Sequence, residues 1–262
     1  MRDARSSATL LSVRRSPIAR TRERTVQPNH RPLILGHRGA PREAPENTMR
    51  AFRLALEQGA DGIELDVQPS ADGVPVILHD DTLDRTTDAT GDVSRLTWER
   101  IRAARAGGEP VPRLEEVAAW AAETGAFLNV EIKRPGVEAT ALAVIESAGL
   151  GPRTIFSSFL PESVAEVRRL APDAACWLLT ETWGPHVLQL AAELRVGGVC
   201  LDVRLATPAA LDQLRAAQLP VICWTVDRPE RMGELLRAGV RGIITNLPGV
   251  GVRARAEWEA RG

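Results

Sequence analysis

The chain has 262 residues, which is enough for one large α/β domain or two small ones with a sizeable core. Its formal net charge is −1, so bulk charge gives no reason to expect nucleic acid as a partner. The three cysteines lie in apolar runs without the spacing of a metal site, which indicates buried hydrophobic residues and argues against a disulfide framework.

Residues 1–31 differ in composition from the rest of the chain. They contain eight arginines, two acidic residues and no sustained apolar run. This composition predicts a disordered basic tail, and contact between the tail and anionic lipid or nucleic acid is a weaker alternative. No stretch has the apolar core of a secretory signal or the length of a membrane span, so we expect a cytoplasmic protein without integral membrane contact.

From residue 33 onward, strand-like and helix-like segments alternate. The predicted strands are 33–37, 61–67, 126–132, 153–157, 174–179, 197–201, 220–226 and 241–245. The predicted helices between them are 47–58, 113–124, 138–148, 161–170, 185–194, 208–217 and 229–238. Eight β/α units in about 230 residues are the size of a TIM (β/α)8 barrel. A doubly wound open sheet is the alternative, but it normally has fewer strands and often uses a glycine-rich phosphate loop that this sequence lacks.

These elements predict a single α/β barrel domain over residues 32–252. The polar segment 80–112 breaks the alternation and is predicted to be a short insertion over the C-terminal rim of the barrel. Residues 253–262 are expected to form a C-terminal tail or the end of a helix.

Several of the apolar runs end in ionisable side chains. His37 closes the first strand, Glu64 and Asp66 share one face of the second, and Glu131 and Lys133 share a face of the third. Burying these charges is costly without a partner, and a divalent metal with a bound anion is a natural one. In a barrel these residues lie near the C-terminal strand ends, where barrel enzymes keep their active sites.

The dipeptide Asp72-Gly73 predicts a tight hairpin turn after the second strand. The connection to the next apolar run is too short for a parallel crossover, so the two runs should pair antiparallel. A two-residue turn centred on this dipeptide places His79 opposite Asp66. Turn geometry would then bring a second histidine beside the two carboxylates.

A series of motifs runs in order along the chain. The matching stretches are His37-Arg38-Gly39, Pro45-Glu46-Asn47-Thr48, residues 60–67, 72–80, 83–87 with Gly91, 111–117, 129–133, Ser158-Phe159, 224–226 and 242–248. As a set they resemble the glycerophosphodiester phosphodiesterase family from about residue 33 to about residue 250. Residues 1–31 have no counterpart in this resemblance.

The resemblance implies a TIM barrel that uses a divalent metal to cleave glycerophosphodiesters into sn-glycerol 3-phosphate and an alcohol. The implied roles are an acid/base pair of His37 and His79, metal ligands Glu64, Asp66 and Glu131, contacts to phosphate or substrate from Arg38, Lys133 and Trp224, and ordering of the site by Glu46 and Asn47. One residue departs from the family pattern: Asn246 stands where the family often has Asp, which puts in doubt a charge-dependent role there.

The residue types suit phosphodiester cleavage. A hard cation and basic side chains can neutralise the nonbridging oxygens, and two imidazoles can transfer protons near neutral pH. Ligands that are all oxygens favour Mg²⁺ or Ca²⁺ over zinc. The expected partner is a small-molecule glycerophosphodiester, with the alcohol, the oligomeric state and the attacking oxygen (water or a glycerol hydroxyl) left open.

Other interpretations remain at this point. A lysophospholipase D or sphingomyelinase D-like enzyme could use the same barrel, but it would need an apolar mouth where segment 80–112 is polar. A non-catalytic barrel that binds phosphate or a lipid headgroup would not need two histidines. The carboxylates could form an ion-pair network with Arg38, Lys133 or Arg134, Lys133 could be a surface residue, and Trp224 could be a core residue.

Overall fold

The computed structural model describes residues 31–261. The predicted basic tail therefore lies outside the described residues, apart from Arg31. Arg31 donates hydrogen bonds to Asp61 at 3.0 Å and to Glu259 at 2.9 Å. Within the described part of the chain, no helix is both long enough and apolar enough to cross a membrane.

Eight parallel strands form a closed barrel. They are β1 Leu33–His37, β2 Gly62–Pro69, β3 Phe127–Ile132, β4 Thr154–Ser158, β5 Cys176–Thr180, β6 Val199–Asp202, β7 Val221–Trp224 and β8 Gly242–Thr245. Each strand pairs with its neighbours along the chain, and β1 also pairs with β8, which closes the sheet. The predicted TIM barrel is confirmed, and the open doubly wound alternative is wrong.

Helices connect the strands on the outside of the barrel. They are α1 Met49–Glu57, α2 Leu114–Thr124, α3 Glu138–Ser147, α4 Pro161–Leu170, α5 Pro185–Glu193, α6 Pro208–Ala216, α7 Pro229–Arg237 and α8 Pro248–Glu259. The first seven lie where the sequence predicted them. The start of helix α8 was not predicted, because Gly249 and Gly251 give its first turn a low helix propensity. Residues 253–259, which were expected to form a tail or the end of a helix, belong to this helix.

Side chains of the strands alternate between the barrel interior and the layer beneath the helices. On β2, Ile63 and Leu65 belong to the hydrophobic cluster that packs against the helices. Glu64, Asp66 and Gln68 alternate with them and are also buried. The apolar interior of the barrel contains Leu35, Ile155, Trp177, Leu179, Cys200, Ile222 and Ile244. The interior therefore changes from apolar to ionisable toward the C-terminal ends of the strands.

Strand β2 continues into an antiparallel hairpin with Pro75–Ile77, but its register differs by one residue from the prediction. The opposed pairs are Val67 with Ile77 and Gln68 with Val76. Consequently Leu78, and not His79, lies opposite Asp66, and its backbone N–H donates to Asp66 O at 3.0 Å.

The cause of this shift is the turn itself. Ser70 N donates to Val74 O at 3.0 Å, which leaves a loop of residues 71–73. Gly73 has a φ of 78°, the left-handed conformation that completes a three-residue hairpin loop. The sequence prediction assumed a two-residue turn, and the additional loop residue moves every opposed pair by one.

The insertion between the hairpin and α2 has a small core of its own. It contains the 3-10 turn Val93–Arg95, the one-turn helix Trp98–Ile101 and two short paired strands, Arg105–Ala106 and Glu109–Pro110. Seven buried apolar residues pack together beneath its polar surface: Val76, Leu78, Leu83, Val93, Ile101, Ala104 and Val111. Because Leu78 belongs to this cluster, the insertion anchors the backbone beside His79.

Candidate active site

Three carboxylates converge at the C-terminal end of the barrel. Glu64 and Asp66 lie two residues apart on β2, and Glu131 lies beside Asp66 in the parallel register of β2 and β3. One carboxylate oxygen from each of the three lies within 4.8 Å of the others, and all three residues are buried. This is an all-oxygen donor set of the kind that hard divalent cations prefer.

The electrostatics of the three carboxylates favour a cation between them. Glu64 Oε1 and Asp66 Oδ1 are buried and have no hydrogen-bond partner among the described residues. Burial, together with repulsion from Asp66 and Glu131, raises the pKa of Glu64 well above its usual range. Burial and the charge of Asp66 likewise raise the pKa of Glu131 to about 7. The residues therefore fit a divalent metal, which would remove the repulsion and supply the missing contacts.

Two basic side chains contact the same cluster. Arg38 Nε lies 3.1 Å from Asp66 Oδ2, and Lys133 Nζ lies 2.7 Å from Glu131 Oε1 and 3.7 Å from Asp66 Oδ1. Burial alone would raise the pKa of Asp66, but the charges of Arg38 and Lys133 hold this pKa below its ordinary value. Part of the ion-pair interpretation is thus correct, but Arg134 instead pairs with Asp81 at 2.9 Å. Two bases do not neutralise three carboxylates.

Lys133 is the only lysine among the 33 basic residues of the sequence. Its side chain is 17% exposed, so the interpretation as a surface lysine is wrong. A lysine ammonium is a compact point charge, whereas the guanidinium of arginine is broad and planar. In a chain that uses arginine everywhere else, this position therefore places a compact cation against the carboxylates.

The loop after β1 orients Arg38 toward the cluster. Arg38 has a φ of 55°, and its backbone N–H donates to Glu64 Oε2 at 3.0 Å. Its Nη1 donates to Glu46 Oε1 at 2.8 Å. Asn47, with a φ of 57°, donates through Nδ2 to Asp66 Oδ2 at 2.8 Å. The Glu46-Asn47 loop therefore contacts both an implied phosphate-binding residue and an implied metal ligand.

His37 lies at the end of β1 with its two ring nitrogens in different environments. Nε2 is 4.0 Å from Glu64 Oε2, while Nδ1 is 2.8 Å from Asn246 Oδ1. Asn246 Nδ2 donates to Asp227 Oδ2 at 2.7 Å, which fixes Oδ1 as the acceptor facing the histidine. Nδ1 therefore carries the proton, and Nε2 has the free lone pair. Burial and the nearby Arg38 lower the pKa of His37, which favours the neutral ring.

His79 has a carboxylate partner instead of an amide. Its Nδ1 donates to Asp80 Oδ1 at 2.7 Å. Hydrogen bonds from Arg85, the largest influence, hold the pKa of Asp80 far below its usual range. Arg85 also donates to Glu46 Oε1 at 2.8 Å, which links the His79 side of the site to the Arg38 side. The charge of His79 in turn contributes to the low pKa of Asp66, so the ring acts on the carboxylate cluster.

Aromatic side chains line the mouth beside Lys133. Trp224 donates through Nε1 to Cys200 O at 3.1 Å and is half-buried. Phe159 meets it edge to face, with 5.5 Å between ring centroids, and is 36% exposed. Lys133 Nζ lies 5.9 Å from the centre of the Phe159 ring. A ligand held by Lys133 would therefore reach this aromatic pair.

The sequence prediction missed several residues that support the site. Asp80, Arg85 and Phe159 occur in the matching motifs but received no role, and Asp227 directly follows the predicted strand 220–226. Their positions beside matched residues or at strand ends could have identified them as part of the site. Their contacts cross between elements, as from Arg85 to Glu46, and sequence spacing does not reveal such contacts.

The chain matches the glycerophosphoryl diester phosphodiesterase family over residues 37–250. It is 35% identical over 229 residues to a glycerophosphodiester phosphodiesterase of Caldanaerobacter subterraneus subsp. tengcongensis, covering 82% of this chain and 94% of that protein. It is 33% identical over 242 residues to a glycerophosphodiester phosphodiesterase of Bacillus altitudinis, covering 86% of this chain and 99% of that protein.

Solved structures resemble it as well. A glycerophosphodiester phosphodiesterase from Agrobacterium tumefaciens aligns with a TM-score of 0.77 at 30% identity, over 85% of this chain and 99% of that one. An Oleispira antarctica phosphodiesterase in complex with the product sn-glycerol-3-phosphate aligns with a TM-score of 0.80 at 26% identity, over 85% of this chain and 96% of that one.

Proposed function

This chain belongs to the glycerophosphoryl diester phosphodiesterase family, and from that premise we propose that it hydrolyses glycerophosphodiesters to sn-glycerol 3-phosphate and an alcohol. The observation that carries the proposal is the meeting of two histidines, each with its own hydrogen-bond partner, around a buried cluster of three carboxylates. The Oleispira antarctica relative, whose structure contains sn-glycerol-3-phosphate, supports the same substrate class.

Glu64, Asp66 and Glu131 would hold one divalent cation. When bound, the metal supplies positive charge against the nonbridging oxygens of the phosphate. Three carboxylates and no thiol suit Mg²⁺ or Ca²⁺. Arg38 and Lys133, which the carboxylates hold at the edge of the cluster, would contact the phosphate with their remaining N–H groups. Trp224 would line the substrate pocket, and Glu46 and Asn47 would keep the site ordered.

The two histidines would divide the proton transfers. His37 presents a free Nε2 lone pair on a neutral ring, because its proton lies on Nδ1, where Asn246 Oδ1 accepts the hydrogen bond. It is therefore suited to take the proton from the attacking oxygen. His79 donates a hydrogen bond from Nδ1–H to the ionised Asp80, which orients the ring and leaves Nε2 for proton transfer. It is therefore suited to give a proton to the departing alcohol.

A substrate panel followed by phosphorus NMR tests the function. Glycerophosphocholine, glycerophosphoethanolamine and glycerophosphoglycerol are incubated with the full chain and Mg²⁺ or Ca²⁺. We expect a sn-glycerol 3-phosphate signal that disappears with EDTA and returns when the metal is added back. No turnover of any diester with either metal would contradict the proposal.

The alternative lysophospholipase D or sphingomyelinase D-like activity is not favoured. The exposed large apolar side chains of the described residues are Phe159 and Leu170, and of these Phe159 lies at the mouth. A single exposed aromatic ring is a small surface for an acyl chain. A cytoplasmic location stays a prediction, with which three buried, unpaired thiols are compatible.

A further inference from the structure

The side chain of Gln68 spans the backbone on both sides of His79. Gln68 lies on β2, on the same face as Glu64 and Asp66, and is fully buried. Its Nε2 donates to Leu78 O at 2.9 Å and to Asp80 O at 2.7 Å. A carboxamide nitrogen has two N–H groups, and both are used on the carbonyls that flank the histidine.

These two side-chain hydrogen bonds connect the segment to β2 at the point where the backbone hydrogen bonds of the sheet end. The hairpin strand ends at Ile77, and the bond from Leu78 N to Asp66 O is the last one to β2 along this segment. Beyond it, the peptide units on either side of His79 would have no partner from the barrel wall without Gln68. Asp80 and Arg85 orient the imidazole ring, and Arg85 ties this segment to Glu46 in the loop after β1, but neither residue joins the segment to the barrel wall.

The orientation of the amide follows from its partners. Both neighbours of Nε2 are carbonyl oxygens, which only accept, so the nitrogen must face them. Oε1 is buried and has no hydrogen-bond partner among the described residues. The amide is thus held by its two donors alone, and a residue of similar shape without donors would leave the carbonyls of Leu78 and Asp80 without a partner on the barrel wall.

We propose that Gln68 is the positioning residue that holds His79 in place for proton transfer. This proposal rests on the proposed function, in which His79 protonates the leaving alcohol. It assigns the placement of His79 to a side chain of the barrel wall and not to the hairpin turn. Gln68 itself touches neither the substrate nor the reacting atoms.

The test uses the full chain with Gln68→Met, which keeps the length of the side chain and removes both donors. We expect kcat for glycerophosphocholine to fall by about 10²-fold, as for a catalytic group displaced by about 1 Å, with KM and metal affinity unchanged. The double variant with His79→Ala should be no slower than His79→Ala alone, because the two residues act through one group. Multiplicative losses would contradict the proposal.

Hydrogen exchange gives a second readout that does not depend on activity. The amide of Leu78, whose N–H donates to Asp66 O, should exchange at least about tenfold faster in Gln68→Met, while those of β2 and β3 keep their wild-type rates. A matched control, Val167→Ala, removes buried apolar atoms from α4 far from the site. At equal loss of Tm it should keep both wild-type kcat and wild-type exchange at Leu78.

The outcomes separate the two proposals. A wild-type protein that cleaves no glycerophosphodiester refutes the proposed function, while exchange at Leu78 still decides the role of Gln68. An active wild type whose Gln68→Met variant keeps full kcat and wild-type exchange at Leu78 refutes the positioning role alone. If Gln68→Met does not fold, Gln68→Asn, whose shorter amide cannot span both carbonyls, replaces it. Failure of both to fold would also overturn the proposal, because residues 78–80 lie outside the barrel.

Discussion

The partners of the two imidazoles differ by one formal charge. Asn246 offers His37 a neutral oxygen, and Asp80 offers His79 an ionised one. The sequence flagged Asn246 as a departure from the family pattern, and the structure shows that the negative charge lies one step further away, on Asp227. The amide keeps the tautomer that a carboxylate would select but stabilises the imidazolium less.

This asymmetry predicts different responses to the leaving group. His37→Ala and His79→Ala should each lower kcat for glycerophosphocholine by about 10²-fold or more with the fold intact. A nitrophenyl leaving group needs no proton, so His79→Ala should recover most of its loss on such a diester, whereas His37→Ala should not. Steady-state kinetics on both substrates, with circular dichroism as the control for folding, checks this. Equal recovery in both variants would contradict the assigned roles.

A further prediction concerns proton release from the carboxylate cluster. Without a cation, burial and the charge of Asp66 raise the pKa of Glu131 to about 7. The carboxyl is therefore largely protonated at lower pH and must lose its proton when metal binds, so metal affinity should rise with pH. Calorimetry of Mg²⁺ or Ca²⁺ binding in two buffers of different ionisation enthalpy should show more protons released about one unit below pH 7 than about one unit above it. Glu131→Gln should reduce that difference without abolishing it, because the pKa of Glu64 is raised as well. Equal release in the wild type at both pH values would contradict the prediction.

At the scale of elements, the hairpin shows where sequence reasoning was sufficient and where it was not. The antiparallel pairing follows from the short connection, and the site does receive His79. The register depended on whether the loop has two residues or three, and Asp72-Gly73 is compatible with both. Only the bond from Ser70 N to Val74 O decides it.

Because Gln68 holds residues 78–80 directly, the turn should matter for stability and not for catalysis. Gly73 has a φ of 78°, and a Cβ there would meet nothing within 4 Å, so a substitution costs only backbone strain. Gly73→Val should lower the free energy of unfolding by about 1–3 kcal/mol, and Gly73→Asn by less, since Asn tolerates this conformation. Denaturant titration measures the loss, and kcat of the folded Gly73→Val protein should stay near the wild-type value. A kcat as low as that of His79→Ala would show that the turn positions the histidine.

The start of helix α8 escaped the sequence prediction for a different reason. Gly251 lowers its helix propensity, but a Cβ at that position would lie 2.8 Å from Ile34 Cγ2 on β1. The glycine allows the last helix to pack closely on the first strand. Tertiary packing overrides propensity here, and a single sequence does not show it.

At the scale of the molecule, the barrel brings together residues that are far apart in sequence. His37 pairs in register with Glu64, and Asp66 pairs with Glu131 on the next strand, so alternation and strand order sufficed to predict their meeting. The supporting contacts between loops, such as Arg85 with Glu46, depend on chain paths outside the sheet. The residues at strand ends are therefore predictable from periodicity. The loop side chains that orient those residues become evident only in three dimensions.

The most direct test of the account follows the cleaved bond. Glycerophosphocholine is hydrolysed by the full chain in ¹⁸O-labelled water with Mg²⁺ or Ca²⁺, and the products are examined by phosphorus NMR and mass spectrometry. We expect unlabelled choline and sn-glycerol 3-phosphate with one ¹⁸O on its phosphate, because the P–O bond to the alcohol breaks, and no product in the presence of EDTA. Phosphocholine with free glycerol, label in the choline, or undiminished turnover in EDTA would contradict it.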